Sequence, residues 1–442
     1  MAWDFQTEPE FQAKLEWARE FIDNKVKPLD VLFPGEHVLY DKSHPIYEAL
    51  IFSLQDEVRS QGLWACHLPP ELGGQGYGQV KLALLQEVLG HAFWAMVVFG
   101  CQAPDSGNAE ILAHYGTDDQ KAKYLQPLLD GKISSCFSMT EPQAGADPSL
   151  FECKAIRDGD EWVISGEKWY SSSSNVAAFN IVIAITNPDV PIYEGASVFL
   201  VPTNSAGLEI VRTTGNFSDN TTTEPGIHPY LRYNGVRVPL HNMLGEEGKG
   251  FMLAQVRLAG GRLHHAMRAV GTCQRALDMM CERALSRKTR KGTLARNSVV
   301  QEQIADTWLK VQNFRMQVLH AAWVMDHEGP LAHTTRLHVA GVKAATPEVV
   351  KEVTWSAMHL HGSLGVSNEL PFGAMWDMAP VLACADGPTE VHKNTMAKEI
   401  LRHYKGGDTL WPAEHLPARY QAAQKQYADV LDRISAPIGG AS

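Results

Sequence analysis

Asp386 lies in the segment VLACADGPTEVHKNTMAKE, between an apolar run and a segment with helical periodicity. A carboxylate at this point has two possible uses. It can take part in chemistry, or it can serve only the turn, because Asp caps its own backbone, Gly tolerates a positive φ and Pro fixes its own φ. The Asp-Gly-Pro sequence by itself does not decide between them.

A basic cluster follows a long helical pattern, in the segment RALSRKTRKGTLAR at residues 283–296 of an otherwise acidic chain. Cations at the end of a helix could bind a phosphate group. The alternative is a solvated helix end, which is the ordinary role of such a cluster.

Two segments in the middle of the chain have the composition of a binding loop, CFSMTEPQAGADPS at 136–149 and SGEKWYSSSSN at 165–175. Backbone amides of a Thr- and Gly-rich loop can hydrogen-bond a planar polar heterocycle, and Trp169 or Tyr170 on the next strand can supply an aromatic face. A capped loop beside a core strand would have the same composition. Both interpretations stay open at this point.

Neither a Rossmann dinucleotide site nor a metal site is expected. The Gly-rich segments GGQGYG (73–78) and GEEGKG (245–250) do not follow a predicted parallel strand of a βαβ unit. The neighbouring histidines are adjacent or two residues apart, so they do not share a helix face as metal ligands usually must. These pairs are His264 with His265 and His359 with His361.

Three blocks of residue pattern must position these segments. Helical periodicity predominates to about residue 135, beginning with the stripe Phe11, Leu15, Ala18, Phe21 and Ile22. Short alternating or apolar runs with Asp-Gly, Asn-Pro and Asn-Gly turns then predict an antiparallel β domain. Helical periodicity returns afterwards and continues to about residue 405. We therefore predict a mainly α protein with a β insert, made of an N-terminal helical domain (1–135), a middle β domain (136–243), a C-terminal helical bundle (244–405) and a C-terminal extension (406–442).

The bulk composition excludes several classes of protein. A chain of 442 residues with a formal charge of −11 and 45% apolar residues fits an acidic globular protein and argues against broad nucleic-acid binding. We expect no signal peptide and no membrane span, because the N-terminus is acidic and amphipathic and no apolar run is long enough. Seven scattered cysteines without a CxxC pair predict reduced thiols and a cytoplasmic location.

Taken together, eight segments in the same order make the chain resemble the flavin-dependent acyl-CoA dehydrogenase family. They are LPPELGGQGYG, GTDDQKAKYLQPLLDG, SMTEPQAGADPS, GEKWYSSSSN, VRVPLHNMLGEEGKGF, RAVGTCQRALDMMCERALSRKT, HLHGSLGVSNELP and ADGPTEVHK. GGRLHHAMRAVG and ADGPTEVH look most like the subgroup of mammalian family members ten and eleven, without their kinase domain. The resemblance implies an acyl-CoA dehydrogenase fold with a β-barrel-like middle domain and a C-terminal four-helix bundle. It also implies FAD, a homodimer or homotetramer, an acyl-CoA substrate and an electron-transfer flavoprotein as electron acceptor.

The resemblance also implies which residues hold FAD. Phe137, Met139 and Thr140 would lie at the isoalloxazine, Gly145 and Ala146 near the pyrophosphate, Tyr170 would stack on the flavin and Ser172 would stand near N5. Arg287, Thr289 and Ser298 would contribute as well, with Arg287 and Thr289 reaching the cofactor from a neighbouring subunit, and His359, Gly362, Ser363, Pro388 and Glu390 would complete the site. Three positions depart from the family pattern: Ala146 replaces Ser, Pro388 replaces a common Thr, and Arg290 replaces an aromatic residue.

Asp386 then takes the role of the catalytic base, which in most relatives is a Glu before the same Gly. Some branches carry a Glu at the position of Gly261 instead, and this chain has no acid there. The implied reaction removes the α-proton of an acyl-CoA thioester while the β-hydride passes to flavin N5, giving a 2,3-enoyl-CoA. Arg262 would orient the loop or the substrate, and the backbone at Gly387 would bind the thioester carbonyl. The subgroup suggests a 4-hydroxy or 4-phospho acyl chain.

Two other functions are compatible with the same residues. A flavin oxidase of the nitroalkane oxidase type also uses an Asp as base. A non-catalytic flavin or acyl-CoA binding protein would account for the departures at Ala146, Pro388 and Arg290.

Overall fold

The structure, a computed structural model, describes residues 7–70, 74–216, 226–407 and 410–435. Gly73, the first residue of GGQGYG, lies outside these ranges. The chain divides into two compact units, residues 1–396 and 397–442. The second unit holds the last residues of a helix that begins at Thr389 and two further helices, Leu416–Gln426 and Ala428–Ser435, which have no buried residues.

Helices form the regular secondary structure of the described residues between 7 and 130, as the periodicity predicts. Helix α1 (Pro9–Phe21) begins with Pro at a position where no backbone N–H is needed. All five residues of the predicted stripe are buried, with Phe11, Leu15 and Ala18 on α1 at 3% exposure or less. The helices that follow are α2 (Lys27–Leu32), α3 (Glu36–Tyr40), α4 (Phe52–Ser60), α5 (Gly78–Leu89), α6 (Ala95–Val98), α7 (Asp105–Tyr115), α8 (Asp118–Gln120) and α9 (Gln126–Leu129).

The helical run in the GTDDQKAKYLQPLLDG segment begins after Thr117 and ends before Gly131, two residue types that favour helix boundaries. Thr117 accepts a hydrogen bond from the backbone of Gln120, and the Gln120 side chain accepts one from the backbone of Thr117, which forms a capping box. The helical run continues to Leu129, and Gly131 adopts φ +74° just beyond it. Glycine at this point ends the helix without a side-chain clash.

The middle of the chain forms one sheet in the order β6-β7-β3-β2-β4-β5-β8, with β1 also paired to β4. The strands are β1 (Ser135–Ser138), β2 (Lys154–Asp158), β3 (Glu161–Lys168), β4 (Phe179–Ile185), β5 (Ala196–Pro202), β6 (Leu208–Thr214), β7 (His228–Pro239) and β8 (Met243–Leu244). The prediction of an antiparallel sheet is wrong at β4, which pairs in parallel with both β1 and β2. The five other strand pairs that the described residues form in this sheet are antiparallel.

Long helices follow the sheet and form the part of the core nearest Asp386. They are α11 (Gly250–Ser286), α12 (Ser298–Glu328), α13 (His333–His361), α14 (Phe372–Cys384) and α15 (Thr389–Leu401); α10 (Ile192–Gly195) lies within the sheet region. Helix α13 packs against α11, α12 and α14, and α11 also packs against α5 and α7. A short hairpin of β9 (Lys288–Thr289) and β10 (Gly292–Thr293) lies within the basic cluster. Across the ranges that the structure describes, no helix combines the length and the apolar character needed to span a bilayer.

A buried ion pair fastens the SMTEPQAGADPS loop to the sheet. Lys168 Nζ at the end of β3 lies 2.8 Å from Glu141 Oε1 and donates to the Met139 carbonyl at the same distance. The Glu141 carboxylate also accepts the backbone N–H groups of Glu152 and Cys153. Both charged side chains are at most 1% exposed. The path of the loop therefore depends on this pair.

Replacing Lys168 with Met should lower the free energy of unfolding by about 3–5 kcal/mol, because the Glu141 charge is left buried without a cation. Urea denaturation measures the loss. Lys154→Met is the matched control, since Lys154 is an exposed lysine on the neighbouring strand β2. A loss below about 1 kcal/mol for Lys168→Met would show that the pair does not hold the loop.

Candidate active site

Asp386 sits in a strained turn between α14 and α15. Its φ is +55° and that of Gly387 is +101°, so two consecutive residues adopt left-handed backbone. A positive φ is uncommon for a residue with a side chain, and Asp tolerates it better than most. Two donors hold the turn by the carbonyl oxygen of Asp386: Arg262 Nε at 3.0 Å and His392 Nε2 at 3.2 Å. Because a carbonyl only accepts, His392 must carry its proton on Nε2.

The Asp386 carboxylate faces cations and remains reachable from solvent. Oδ1 lies 3.5 Å from Arg257 Nη1, Oδ2 lies 3.4 Å from His265 Nε2, and the side chain is 13% exposed. Burial alone would raise the pKa of Asp386, but the His265 contact and the charges of Arg257 and Arg262 hold it below its ordinary range. Both contacts are long for hydrogen bonds, so the carboxylate is charged without being tightly fixed.

A pair of glycines on α11 makes room for two carboxyl groups. A Cβ atom at Gly261 would lie 3.4 Å from Asp386 Oδ2, and one at Gly260 would lie 3.3 Å from Glu110 Oε2 of α7. Burial raises the pKa of Glu110 to about 7, against a smaller opposing effect of Arg257. Position 261, where the resemblance locates an alternative base, therefore faces the same point as Asp386.

Arg257 lines the space between Asp386 and the middle domain. Its guanidinium carbon lies 4.4 Å from the centre of the Phe137 ring, at the edge of β1. The residue is 9% exposed, and its Nε finds no hydrogen-bond partner among the described residues. A buried donor without a partner is costly, so this atom marks a place where a ligand oxygen would be favourable.

The sequence interpretation missed Arg257, His265, His392 and Glu110. A signal was present for two of them, because Arg257, Gly261 and His265 are spaced four residues apart and therefore share one face of α11. The sequence pattern presents His264 and His265 only as an adjacent pair unsuited to a metal ion. The parts of the chain that the structure describes contain no cluster of three or more His, Cys, Asp or Glu side chains arranged for a metal ion.

The residues predicted at the isoalloxazine gather around the ends of β1 and β3. Phe137 belongs to β1, Met139 and Thr140 follow it, and the Thr140 carbonyl accepts the backbone N–H of Trp169 at 2.8 Å. Tyr170 has φ +50°, is 53% exposed, and stacks on Trp169 with ring centres 5.3 Å apart. Ser172 Oγ lies 2.8 Å from His228 Nδ1.

These features fit a planar cofactor ring. Tyr170 presents a large exposed aromatic surface, and a Cβ atom at the exposed Gly145 would meet nothing within 4 Å. The buried Trp169 Nε1 has no hydrogen-bond partner in the described part of the chain. Ala146, beside Gly145, is also exposed.

The remaining predicted cofactor residues lie in the C-terminal helices. His359 stacks on the half-exposed Trp355 near the end of α13, and Gly362 and Ser363 follow that end, with Gly362 at φ +68°. Pro388 directly precedes α15 and Glu390 lies in its first turn, after the Asp386 turn. Arg287, Thr289 and Ser298 are exposed residues beyond the end of α11. Their contact with a cofactor of a neighbouring subunit stays a prediction.

Comparison with known proteins covers nearly the whole chain. Family models match residues 8–132 (acyl-CoA dehydrogenase, N-terminal domain), 136–224 (middle domain) and 248–401 (C-terminal domain). Acyl-CoA dehydrogenase family member 11 of Homo sapiens is 39% identical over 357 residues, which is 80% of this chain and 45% of that protein. The chain thus spans about half the length of this relative.

Two further matches cover most of this chain and most of the matched protein. The probable acyl-CoA dehydrogenase FadE2 of Mycobacterium tuberculosis is 38% identical over 363 residues, 80% of this chain and 86% of that protein. The structure of butyryl-CoA dehydrogenase from Megasphaera elsdenii has a TM-score of 0.75 at 27% identity and covers 90% of this chain and 100% of its own. The chain therefore belongs to the acyl-CoA dehydrogenase family.

Proposed function

We propose that the chain is an FAD-dependent acyl-CoA dehydrogenase in which Asp386 removes the α-proton of the thioester, and that the product is a 2,3-enoyl-CoA. The observation that carries the proposal is the Asp386 carboxylate, presented at 13% exposure by a strained turn and flanked by Arg257 and His265. FAD, when bound, would supply the acceptor for the β-hydride. Tyr170, Thr140, Met139 and Ser172 are the residues of this chain that would hold its ring.

Asp386 suits the role of base because it is ionised before substrate arrives. The neighbouring cations keep its pKa low in the free protein. A bound thioester would expel water from the carboxylate, which raises its basicity in the complex. We propose that backbone amides near Gly387 polarise the thioester carbonyl as enolate character develops.

Asp is shorter than the usual Glu by one methylene, about 1.5 Å, and a misplacement of about 1 Å can cost on the order of 100-fold in rate. We propose that the turn compensates for this difference. Arg262 and His392 fix the Asp386 carbonyl, and Pro388 directly after Gly387 stiffens the turn. The shorter acid would then be held forward by its backbone.

An oxygen-bearing acyl chain, such as a 4-hydroxy or 4-phospho acyl-CoA, is the substrate class that we propose. Arg257 Nε is a buried donor without a partner in the described residues, and it lies on a guanidinium that touches both Asp386 and Phe137. Glu110, with its pKa raised to about 7, can donate as well as accept near neutral pH. An oxygen on the acyl chain would satisfy Arg257, whereas a plain hydrocarbon chain would not.

The remaining parts of the proposal rest on the family resemblance. We propose an electron-transfer flavoprotein as the electron acceptor and a homodimer or homotetramer as the assembly, in which Arg287 and Thr289 reach the neighbouring subunit's cofactor. A cytoplasmic location is proposed from the cysteines, all seven of which are free.

Asp386→Asn should slow anaerobic bleaching of the bound flavin by acyl-CoA by about 100-fold or more, since an amide cannot accept the α-proton. Stopped-flow absorbance across a panel of short, long, branched and 4-substituted acyl-CoAs measures this. Asp189→Asn, at an exposed loop position, is the matched control.

The same panel separates the alternative functions. Bleaching of Asp386→Asn at the wild-type rate would remove Asp386 as base. Oxygen consumption with nitroalkanes, without bleaching by any thioester, would indicate a flavin oxidase. A protein that is colourless, or yellow and unreduced by every substrate, would indicate a binding role only.

The test of Arg257 compares kcat/KM for a 4-hydroxyacyl-CoA with kcat/KM for the unsubstituted acyl-CoA of equal length. Arg257→Met should lower the ratio of the first to the second by about tenfold or more, because one hydrogen bond to a charged group is lost. The ratio cancels any general effect of Arg257 on Asp386. Arg275→Met is the control, because Arg275 also lies on α11 but pairs with Asp30. An unchanged ratio would exclude Arg257 from substrate recognition.

The free energy of unfolding of the Glu110→Gln variant should increase relative to that of the wild type as the pH rises. Between pH 4.5 and about 7 the unfolded chain releases the Glu110 proton while the folded chain keeps it, so wild-type stability from this group is lost over that interval. The variant cannot ionise, and its relative free energy of unfolding should rise by on the order of 2 kcal/mol. Denaturant titrations from pH 4.5 to 8 measure it, with the exposed Glu194→Gln as control. A difference that does not change with pH would mean that Glu110 titrates normally.

A further inference from the structure

His265 contacts charged groups through both of its ring nitrogens. Nε2 lies 3.4 Å from Asp386 Oδ2, and Nδ1 lies 2.8 Å from Nη2 of Arg268, three residues further along α11. A guanidinium has five N–H donors and no acceptor, so Nδ1 must be the accepting nitrogen. A neutral imidazole that accepts at Nδ1 carries its proton on Nε2, the nitrogen that lies 3.4 Å from Asp386 Oδ2.

Arg268 in turn contacts a buried residue of α5. It is 6% exposed, and its Nη1 lies 3.3 Å from Oε1 of Gln86, a fully buried residue of α5. The chain of contacts runs from Gln86 through Arg268 and His265 to the Asp386 carboxylate. It therefore links α5 and α11 to the turn that carries the proposed base.

We infer that His265 is a positioning residue, locked by Arg268 in its neutral Nε2–H form, which directs one oxygen of Asp386 and keeps that carboxylate ionised until substrate binds. The inference rests on the proposed function, since it assigns a role relative to the base. His265 does not relay the α-proton, because a second proton at Nδ1 would point at a guanidinium. The proton taken by Asp386 stays on Asp386 until solvent or product exchange removes it.

The charges around the pair favour this form. Burial lowers the pKa of His265, and Arg268 lowers it further, against the opposing effect of Asp386. Arg257 and Arg262 of α11 act on Asp386 directly, and Lys343 of α13 interacts with it electrostatically. From α15, His392 contacts the Asp386 carbonyl, and burial lowers the pKa of His392 to about 4, so it is neutral near pH 7. His265 is therefore the neutral donor to the carboxylate within a ring of cations.

Arg268→Met tests the lock. Without the guanidinium, Nδ1 of His265 is free to take a proton, so a new ionisation should appear in the pH profile of flavin reduction, below the ordinary histidine pKa of about 6.5 because burial still lowers the pKa of His265. Below it the rate should fall by about tenfold, because an imidazolium beside Asp386 weakens the base. Arg275→Met, the control on the same helix, should keep the wild-type profile. An Arg268→Met profile identical to wild type would overturn the inference.

Two substitutions of His265 separate the effect of its N–H donor from the effect of its side-chain volume. Gln can place an amide N–H near the position of Nε2, whereas Leu fills a similar volume without a donor. His265→Leu should move the acid limb of the pH profile upward by about one unit, because the carboxylate loses the polar contact with Nε2, and His265→Gln should restore most of the shift. Equal profiles for the two variants would assign His265 a packing role only.

The protonated nitrogen can be observed without turnover. In holoprotein labelled with ¹⁵N-histidine, long-range ¹H–¹⁵N correlation distinguishes the two neutral tautomers from imidazolium, and His265→Gln identifies the signal of His265. We expect the Nε2–H form from pH 6 to 8. A Nδ1–H or doubly protonated ring would refute the inference even if acyl-CoA reduces the flavin. If His265 has the Nε2–H form but no acyl-CoA reduces the flavin, the proposed function is refuted, while the inference that Arg268 fixes the His265 tautomer is not.

Discussion

The charge of Asp386 is the constraint that explains its surroundings. A carboxylate that is only 13% exposed has lost most of its hydration, and nearby cations are what keep it ionised. Helix α11 supplies Arg257 and Arg262, and the left-handed turn between α14 and α15 brings Asp386 to them. The glycines at 260 and 261 are part of the same solution, since a side chain at Gly261 would crowd the carboxylate.

The elements that the sequence predicted well are those fixed by local chemistry. The stripe of Phe11, Leu15 and Ala18 and the capping box of Thr117 depend only on residues within a few positions. The parallel pairing of β4, in contrast, is not fixed by local chemistry. Alternating apolar residues look the same in parallel and antiparallel strands, so the parallel pairing of β1 and β2 with β4 depends on where the chain returns, which no local pattern records.

The same distinction separates the parts of the site. Asp386 was selected from the sequence as the candidate base because it stands in a continuous segment, ADGPTEVHK, whose order resembles a known family, and that role stays a prediction. His265 was not, although its neighbour His264 has the same chemistry. His264 is 7% exposed and its Nε2 has no partner in the described residues, whereas His265 meets Asp386. The four-residue spacing puts His265 on the same face of α11 as Gly261, but how that face is rotated against α13 and α14 is decided by packing.

Cations that keep a carboxylate charged also make it a weaker base, so the site must balance two requirements. The contact of Asp386 with Arg257 is long, at 3.5 Å, and holds the charge with little directional bonding. An oxygen brought by the substrate could therefore draw Arg257 away at small cost, because its Nε lacks a partner in the described part of the chain. Under the proposed function, Asp386 would then lose one of its cations as water leaves, and its basicity would rise when the α-carbon of the substrate is in place.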